Sequence, residues 1–269
     1  MAFPEGSTLL SEPGPAGFID PRRMLAANLV VAAQRGATTI GESATTIEER
    51  RGGGWQLITD SGRVVHADRV LVTTGPHTDE LTGVPLPPAT VRGETVVQAT
   101  LGPAEQQRLE GLPSVLARIS HRTYDDLYLV PPTTYPDGSV RLKLGATRTH
   151  TAVLSDAARR RHLMRGNDHA AELDELRSLT EQLVPGLAAD AWETKPCLIT
   201  ETPTGLPYVD HVADTMVVAF GGNGYAAKSA NAIGSLAVAL MMAGRWTDTD
   251  LRAPAFAVPK AIGGLSRET

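Results

Sequence analysis

The spacing of apolar and polar residues changes character several times along this chain. The stretch up to Ala16, broken by Pro4, Gly6, Pro13, Gly14 and Pro15, reads as an irregular lead-in. Asp20-Pro21 then gives a helix start, an N-cap acceptor followed by proline at the first helical position. Met24, Ala27, Leu29, Val31 and Ala33 continue a mostly apolar helix that stops at Gly36. Strand-like pieces follow at Thr38 to Ile40, Ala44 to Glu49 and Trp55 to Thr59, the last bounded by Gly52-Gly53-Gly54 and Asp60-Ser61-Gly62. Val70-Leu-Val-Thr-Thr-Gly75 closes the segment 64–75 as a continuous apolar run halted by glycine, the pattern of a strand covered on both faces.

From about Val84 to His150 the texture becomes that of an antiparallel sheet. Short strand candidates lie at Thr95 to Ala99, Val115 to Ile119, Leu127 to Val130 and Val140 to Leu144, with prolines at 85, 87, 88, 131, 132 and 136 expected to separate them. Residues 155–183 read as mostly helix, with Arg159 to Arg161 and the stretch from Glu172 to Glu181 on a solvated face. A strand around Trp192 to Thr200 and a second, Met216 to Phe220, lead through a Gly-rich turn into a helix from Ser229 to Ala243. The pattern predicts an α/β (α+β) fold with one lobe over 1–83, a second, antiparallel lobe over 84–190, a return to the first over 191–250, and a tail over 251–269.

Composition narrows the class. A length of 269 residues suffices for a large core, and with only 4% aromatic residues that core must be aliphatic. The formal net charge of -5 gives no reason to expect nucleic acid or an anionic membrane as partner. Cys197 is the single cysteine, which excludes an internal disulfide and fits a reducing compartment. No apolar run reaches the roughly 18 residues of a membrane span, and the start lacks signal-peptide regions, so a cytoplasmic protein is expected. His121, His150, His162 and His169 show no metal-ligand spacing, and no metal is expected. Nothing in the sequence speaks to oligomeric state.

Four segments carry chemistry. Gly17-Phe-Ile-Asp-Pro21, Ala67-Asp-Arg-Val-Leu-Val-Thr-Thr-Gly75, Lys195-Pro-Cys197 leading to Pro207-Tyr-Val-Asp210, and Gly222-Asn-Gly-Tyr-Ala-Ala-Lys228 occur in an order and spacing that resemble the D-amino acid oxidase-like amine oxidases. The similarity is greatest to the monomeric sarcosine and N-methyl amino acid oxidases, and it extends from Gly17 to about Trp246. It implies FAD as cofactor and, as partner, a small amine or amino acid substrate. It also implies an FAD-binding lobe and an antiparallel substrate lobe. The reaction implied is oxidation of the C–N bond of an amino acid or N-alkyl amino acid to an imine, with O2 as acceptor giving H2O2.

The resemblance assigns residues one by one. Lys143, in Arg141-Leu-Lys-Leu-Gly145, matches the lysine that sarcosine-type oxidases place over the flavin, where an ammonium stabilises charge developing on O2; on residues alone it is also an outward lysine of a strand. The histidine such enzymes carry four residues later is Thr147 here, which leaves the substrate open. Cys197 matches the cysteine that bonds covalently to flavin, a reaction that a neighbour such as Lys195 would help by lowering the thiol pKa; the alternative is a small buried hydrophobe. Lys228 matches the lysine that pairs with the substrate carboxylate, or is a solvated lysine at a helix start. Gly221, Gly222, Asn223, Gly224 and Tyr225 match the turn beside the flavin, with Gly222 and Gly224 admitting a ligand close to the backbone. Thr74 and Gly75 end a strand near the cofactor, Thr45 matches an adenine contact, and Tyr128 stands where relatives place an aromatic near substrate.

The family's Gly-x-Gly-x-x-Gly strand, turn and helix is not found in these residues, so the FAD-binding lobe is expected to be truncated. A start codon assigned too late, a chain covering part of the enzyme, or a repurposed protein that no longer binds FAD would each give this sequence. The last corresponds to a different class, a non-catalytic binding or assembly subunit.

Overall fold

A computed structural model describes residues 1–14, 16–85, 87–166 and 170–259; His169 and the tail from 260 onward lie outside the described residues. The elements in chain order are α1 (Pro21–Gln34), β1 (Ala44–Glu49), β2 (Trp55–Thr59), β3 (Val64–Ala67), β4 (Val70–Val72), β5 (Thr90–Leu101), α2 (Pro103–Arg108), β6 (Val115–Arg118), β7 (Tyr124–Thr134), β8 (Val140–Arg148), α3 (Ala157–Arg165), α4 (Ala170–Leu183), β9 (Ala189–Glu201), β10 (Tyr208–Ala213), β11 (Met216–Phe220) and α5 (Ala226–Ala243). They form an α/β (α+β) fold that divides into two units, 1–19 with 92–198, and 20–91 with 199–269.

The first unit is built on a five-stranded sheet of order β6-β7-β8-β5-β9. Alternation decides its two faces. Val97, Ala99 and Leu101 of β5, Leu142, Leu144 and Ala146 of β8, and Leu127 and Leu129 of β7 are buried together with Leu176 and Leu183 of α4. The intervening residues, among them Lys143 and Gly145 of β8, therefore point to the opposite face. Prolines were expected to end the strand near residue 130. Instead β7 runs through Pro131 and Pro132 to Thr134, with a register shift against β8 between Val130 and Thr133. Its pairing with β6 stops at Leu129, so the prolines sit where that edge has no neighbour to hydrogen-bond. Arg160 also departs from expectation. Its position on α3 turns it inward to 2% exposure, where Nη1 donates to the Leu154 carbonyl at 3.3 Å, while Arg159 stays exposed.

The second unit holds an antiparallel sheet β1-β2-β3 and a mixed sheet β10-β11-β4. β4 runs parallel to β11 with Val70, Leu71 and Val72 opposite Met216, Val217 and Val218. Both faces of β4 are covered, as its unbroken apolar run requires. Val70 and Val72 join Ile47, Trp55, Tyr208 and Phe220, and Leu71 packs with Val217 against Leu236, Ala237 and Leu240 of α5. Among the described residues α5 is the one helix long and apolar enough to cross a membrane by length and composition; here its buried stripe lies on the mixed sheet. The Asp20 carboxylate caps α1 by accepting from the backbone N–H groups of Arg22 and Arg23 at 3.0 and 3.2 Å. Residues 38–40, expected as a strand, are irregular.

Glu42 pins the β2–β3 turn. Its carboxylate accepts from Ser61 Oγ at 2.5 Å, Thr59 Oγ1 at 2.6 Å and Arg63 Nε at 2.7 Å. The Ser61 and Thr59 hydrogen bonds, with the Arg63 charge, hold its pKa well below the ordinary glutamate value, at about 2. A depressed carboxylate contributes stability that is present above the unfolded-state value and disappears as pH falls toward the folded one. Glu42→Gln should therefore lower the Tm of this unit at neutral pH, with the gap from the parent closing as pH is taken from about 5 down toward 2. Thermal melts across that range read it directly; a gap that is constant with pH would show the carboxylate charge is irrelevant.

Candidate functional site

The polar face of the five-stranded sheet gathers three of the residues singled out from sequence. In the ladder Gln98 lies opposite Lys143, and Tyr128 opposite Gly145. The Lys143 Nζ stands 5.4 Å from the centre of the Tyr128 ring, within the range of a cation–π contact, which contributes about 0.5–2 kcal/mol. Burial pushes the Tyr128 hydroxyl up to about 12, helped by the neighbouring Cys197, Tyr135 and Glu94. Tyr128 is thus neutral at any physiological pH and cannot serve as a base.

Cys197, on β9, shares this environment, and its electrostatics correct the expectation from sequence. Lys195 does not activate it. That lysine is half exposed and paired to Glu193, Nζ to Oε2 at 2.9 Å. Burial first, then the Glu94 carboxylate, pushes the Cys197 thiol up; the Lys143 ammonium, the Glu94 backbone N–H and Arg92 pull it down. Glu94 and Arg92, which the sequence reading missed, are themselves an ion pair at 2.8 Å, with the Glu94 side chain 6% exposed. Their signal was available: positions 92 and 94 continue the alternation of β5 that Gln98 follows.

Arg141 anchors the same face two residues from Lys143. It binds Gln98 Oε1 at 2.9 Å and Ser139 Oγ at 2.8 Å, is ion-paired with Asp137 and Glu193, and lies 4.9 Å over the Tyr135 ring. This ties the β7–β8 turn and β9 to the strand that carries Lys143.

The second unit carries the Gly-rich turn between β11 and α5. Asn223 is its keystone and, among the described residues, the only non-glycine with positive φ, at 51°. Its side chain accepts from the Thr202 N–H at 2.9 Å and donates to the Gly221 carbonyl at 2.6 Å, while its own N–H donates to the Thr200 carbonyl at 3.0 Å. Gly221, with φ of 81°, could not take a Cβ, which would stand 2.3 Å from Thr202 Cγ2. A Cβ on Gly222 would meet the Ala226 Cβ at 2.4 Å, so packing within the turn itself requires this glycine. Tyr225 is 67% exposed, and Lys228 lies over its ring at 4.9 Å, exposed to solvent at the start of α5.

Thr74 and Gly75 follow β4 as Gly221 follows β11, so both segments leave the carboxyl end of the parallel pair, the end at which α/β sheets bind ligands. The Thr74 hydroxyl donates to Thr78 Oγ1 at 3.0 Å, and Thr78 in turn to the Gly75 carbonyl at 2.8 Å. Thr45 lies in the other sheet of this unit. On β1 it is engaged locally, its hydroxyl donating to the Ile58 carbonyl at 3.0 Å and its carbonyl accepting from Thr82 N–H at 3.0 Å. The structure thus places Lys143, Tyr128 and Cys197 together in one unit, and residues 221–225 with Lys228 in the other.

The turn suits a polar, partly negative ring edge. α5 begins without a side-chain cap, leaving first-turn N–H groups for a ligand. Beside it the Thr200 hydroxyl is buried with no hydrogen-bond partner, a cost of about 1–3 kcal/mol that a bonded ligand or water would offset.

Residues 9–240 match the family model described as DAO, FAD dependent oxidoreductase, and the chain belongs to that family. No curated protein matches the chain. Among solved structures, NikD, an unusual amino acid oxidase essential for nikkomycin biosynthesis, in its open form, is 20% identical with a TM-score of 0.69, covering 89% of this chain and 60% of that one. Fructosyl peptide oxidase from E. terrenum is 16% identical, TM-score 0.67, over 89% and 57%. Iminodiacetate oxidase (IdaA) from Chelativorans sp. BNC1 is 18% identical, TM-score 0.61, over 89% and 59%. The likeness establishes the fold, and this chain spans about three fifths of those proteins.

Alkylation of Cys197 as a function of pH reads the electrostatics of the face. Lys143→Met should raise the pH of half-maximal alkylation, and Glu94→Gln should lower it, because the first removes a charge that favours thiolate and the second one that opposes it. Equal midpoints in both variants would show that neither group acts on the thiol.

Proposed function

We propose that this chain oxidises the C–N bond of an amino acid or N-alkyl amino acid to an imine, with FAD as cofactor and O2 as acceptor giving H2O2, in the manner of the sarcosine and N-methyl amino acid oxidases. The observation that carries this reading is the cluster of Lys143, Tyr128 and Cys197 on one sheet face of a chain in the FAD dependent oxidoreductase family. Three similar structures being described as oxidases of an amino acid, a fructosyl peptide and iminodiacetate supports it. The chemistry that FAD would supply when bound is acceptance of a hydride from the carbon next to the substrate nitrogen and onward transfer of the electrons to O2.

The residues do the rest. Residues 221–225 and the amide groups opening α5 would hold the pyrimidine edge of the cofactor, where fixed dipoles favour negative charge. Thr74 and Gly75 would lie along it from the end of β4, and Thr45 would face the adenine through its backbone. Lys228 would take the substrate carboxylate as a point charge. Lys143, a cation on a water-poor face, would stabilise the charge that develops on O2. Tyr128, held neutral, would bound the substrate as a wall rather than exchange a proton. Cys197 would attach the cofactor covalently; burial opposes the thiolate that this requires, and Lys143 and Arg92 favour it. Thr147, which stands where sarcosine-type enzymes carry histidine, leaves open which amino acid or N-alkyl amino acid is the substrate.

The test begins at purification. The protein should be yellow with flavin absorbance, and colour that survives acid precipitation in the parent but not in Cys197→Ala would establish the bond. Lys143→Met should slow reoxidation by O2 about 10²–10³-fold while substrate still reduces the flavin. Soluble, folded protein that is colourless and takes up no added FAD would overturn the proposal and favour a binding subunit.

A further inference from the structure

β8 repeats one contact with β7 and the turn that follows it. Arg141 lies over Tyr135, Lys143 over Tyr128 at 5.4 Å, and Arg148 over Tyr124 at 5.8 Å. The two arginines also make ion pairs, Arg141 to Asp137 and Glu193 and Arg148 to Glu172. The middle pair has a different second feature. A Cβ added to Gly145 would fall 2.4 Å from both Cε1 and Cζ of Tyr128 and 2.6 Å from its hydroxyl oxygen. Gly145 does not have positive φ, so it is glycine for space: the Tyr128 ring lies against the β8 backbone where a Cβ would collide with it. That seat fixes the height of the ring on the face. Lys143, two residues away on the same face of β8, finds its ammonium over that ring.

We infer that Gly145 and Tyr128 form a positioning device for Lys143, the glycine seating the ring and the ring holding the ammonium over one point of the sheet face. Tyr128 then acts through Lys143, as a positioning residue. The ring does this in its neutral form, since its hydroxyl is pushed to about 12. What the placed ammonium is used for rests on the proposed oxidase chemistry; the placement itself does not.

The experiment uses the chain without FAD. Its four lysines, 143, 195, 228 and 260, are dimethylated with 13C-formaldehyde, and the methyl resonance lost in Lys143→Met assigns residue 143. In the parent that resonance should be displaced upfield by the ring current. The displacement should persist in Tyr128→Phe, vanish in Tyr128→Leu, and shrink in Gly145→Ala. A pH titration of the same resonance should show the acid dissociation constant of residue 143 rising about 2- to 30-fold in Tyr128→Leu and returning in Tyr128→Phe. If Gly145→Ala fails to fold, the Leu and Phe variants decide alone. An undisplaced parent resonance, or one unchanged in Tyr128→Leu, would overturn the inference. If the ring signature behaves as expected but Lys143→Met reoxidises as fast as the parent, the device stands and the proposed role of Lys143 toward O2 fails.

Discussion

The two-residue alternation of β8 is the constraint on which the rest depends. Leu142, Leu144 and Ala146 are sealed against α4, so Arg141, Lys143, Gly145 and Thr147 have no choice of face. A slip of one residue would bury an ammonium among leucines and expose the core, a cost far beyond the marginal stability of a domain. The hydrophobic core thereby sets the address of Lys143. The polar contacts on the far side only refine it. Arg141, tied to Asp137, Ser139, Gln98 and Glu193, fixes the strand laterally against its neighbours.

The second unit reaches order by other means. Its Gly-rich turn is held by one side chain, Asn223, which supplies an acceptor to Thr202 and a donor to Gly221 and so replaces the ladder that β11 and α5 cannot offer there. The positive φ of Asn223 is tolerated because those bonds over-determine it. The outcome is a turn held by its own side chain, which opens α5 without a side-chain cap and has the buried Thr200 hydroxyl beside it without a hydrogen-bond partner.

Much of this was legible in the residues. Ala44–Glu49 and Trp55–Thr59 fall where alternation and flanking glycines place them, and α1 begins at its Asp-Pro cap. The double-sided burial of β4 follows from its unbroken apolar run. What could not be read depended on partners distant in sequence. Pro131 and Pro132 break most strands, and only the early end of β6 makes room for them. Arg160 sits in a row of arginines, and only the fold shows which one turns inward to Leu154. Lys195 is close to Cys197 in sequence, yet Glu193 claims it, and the charges that govern the thiol are Glu94, Lys143 and Arg92 on other strands. Gly222 reads from sequence as a place for a ligand's close approach, and the fold adds a packing requirement set by Ala226.

The central proposal is that this chain binds a flavin. Amide NMR of the isotopically labelled protein during titration with FAD tests it most directly. Shifts should concentrate at Gly221, Gly222, Asn223, Gly224 and Tyr225 and at Lys143, Gly145 and Cys197, with Leu142 and Leu144 little changed. Saturating FAD that leaves those amides unmoved, or that perturbs only residues remote from them, would contradict it.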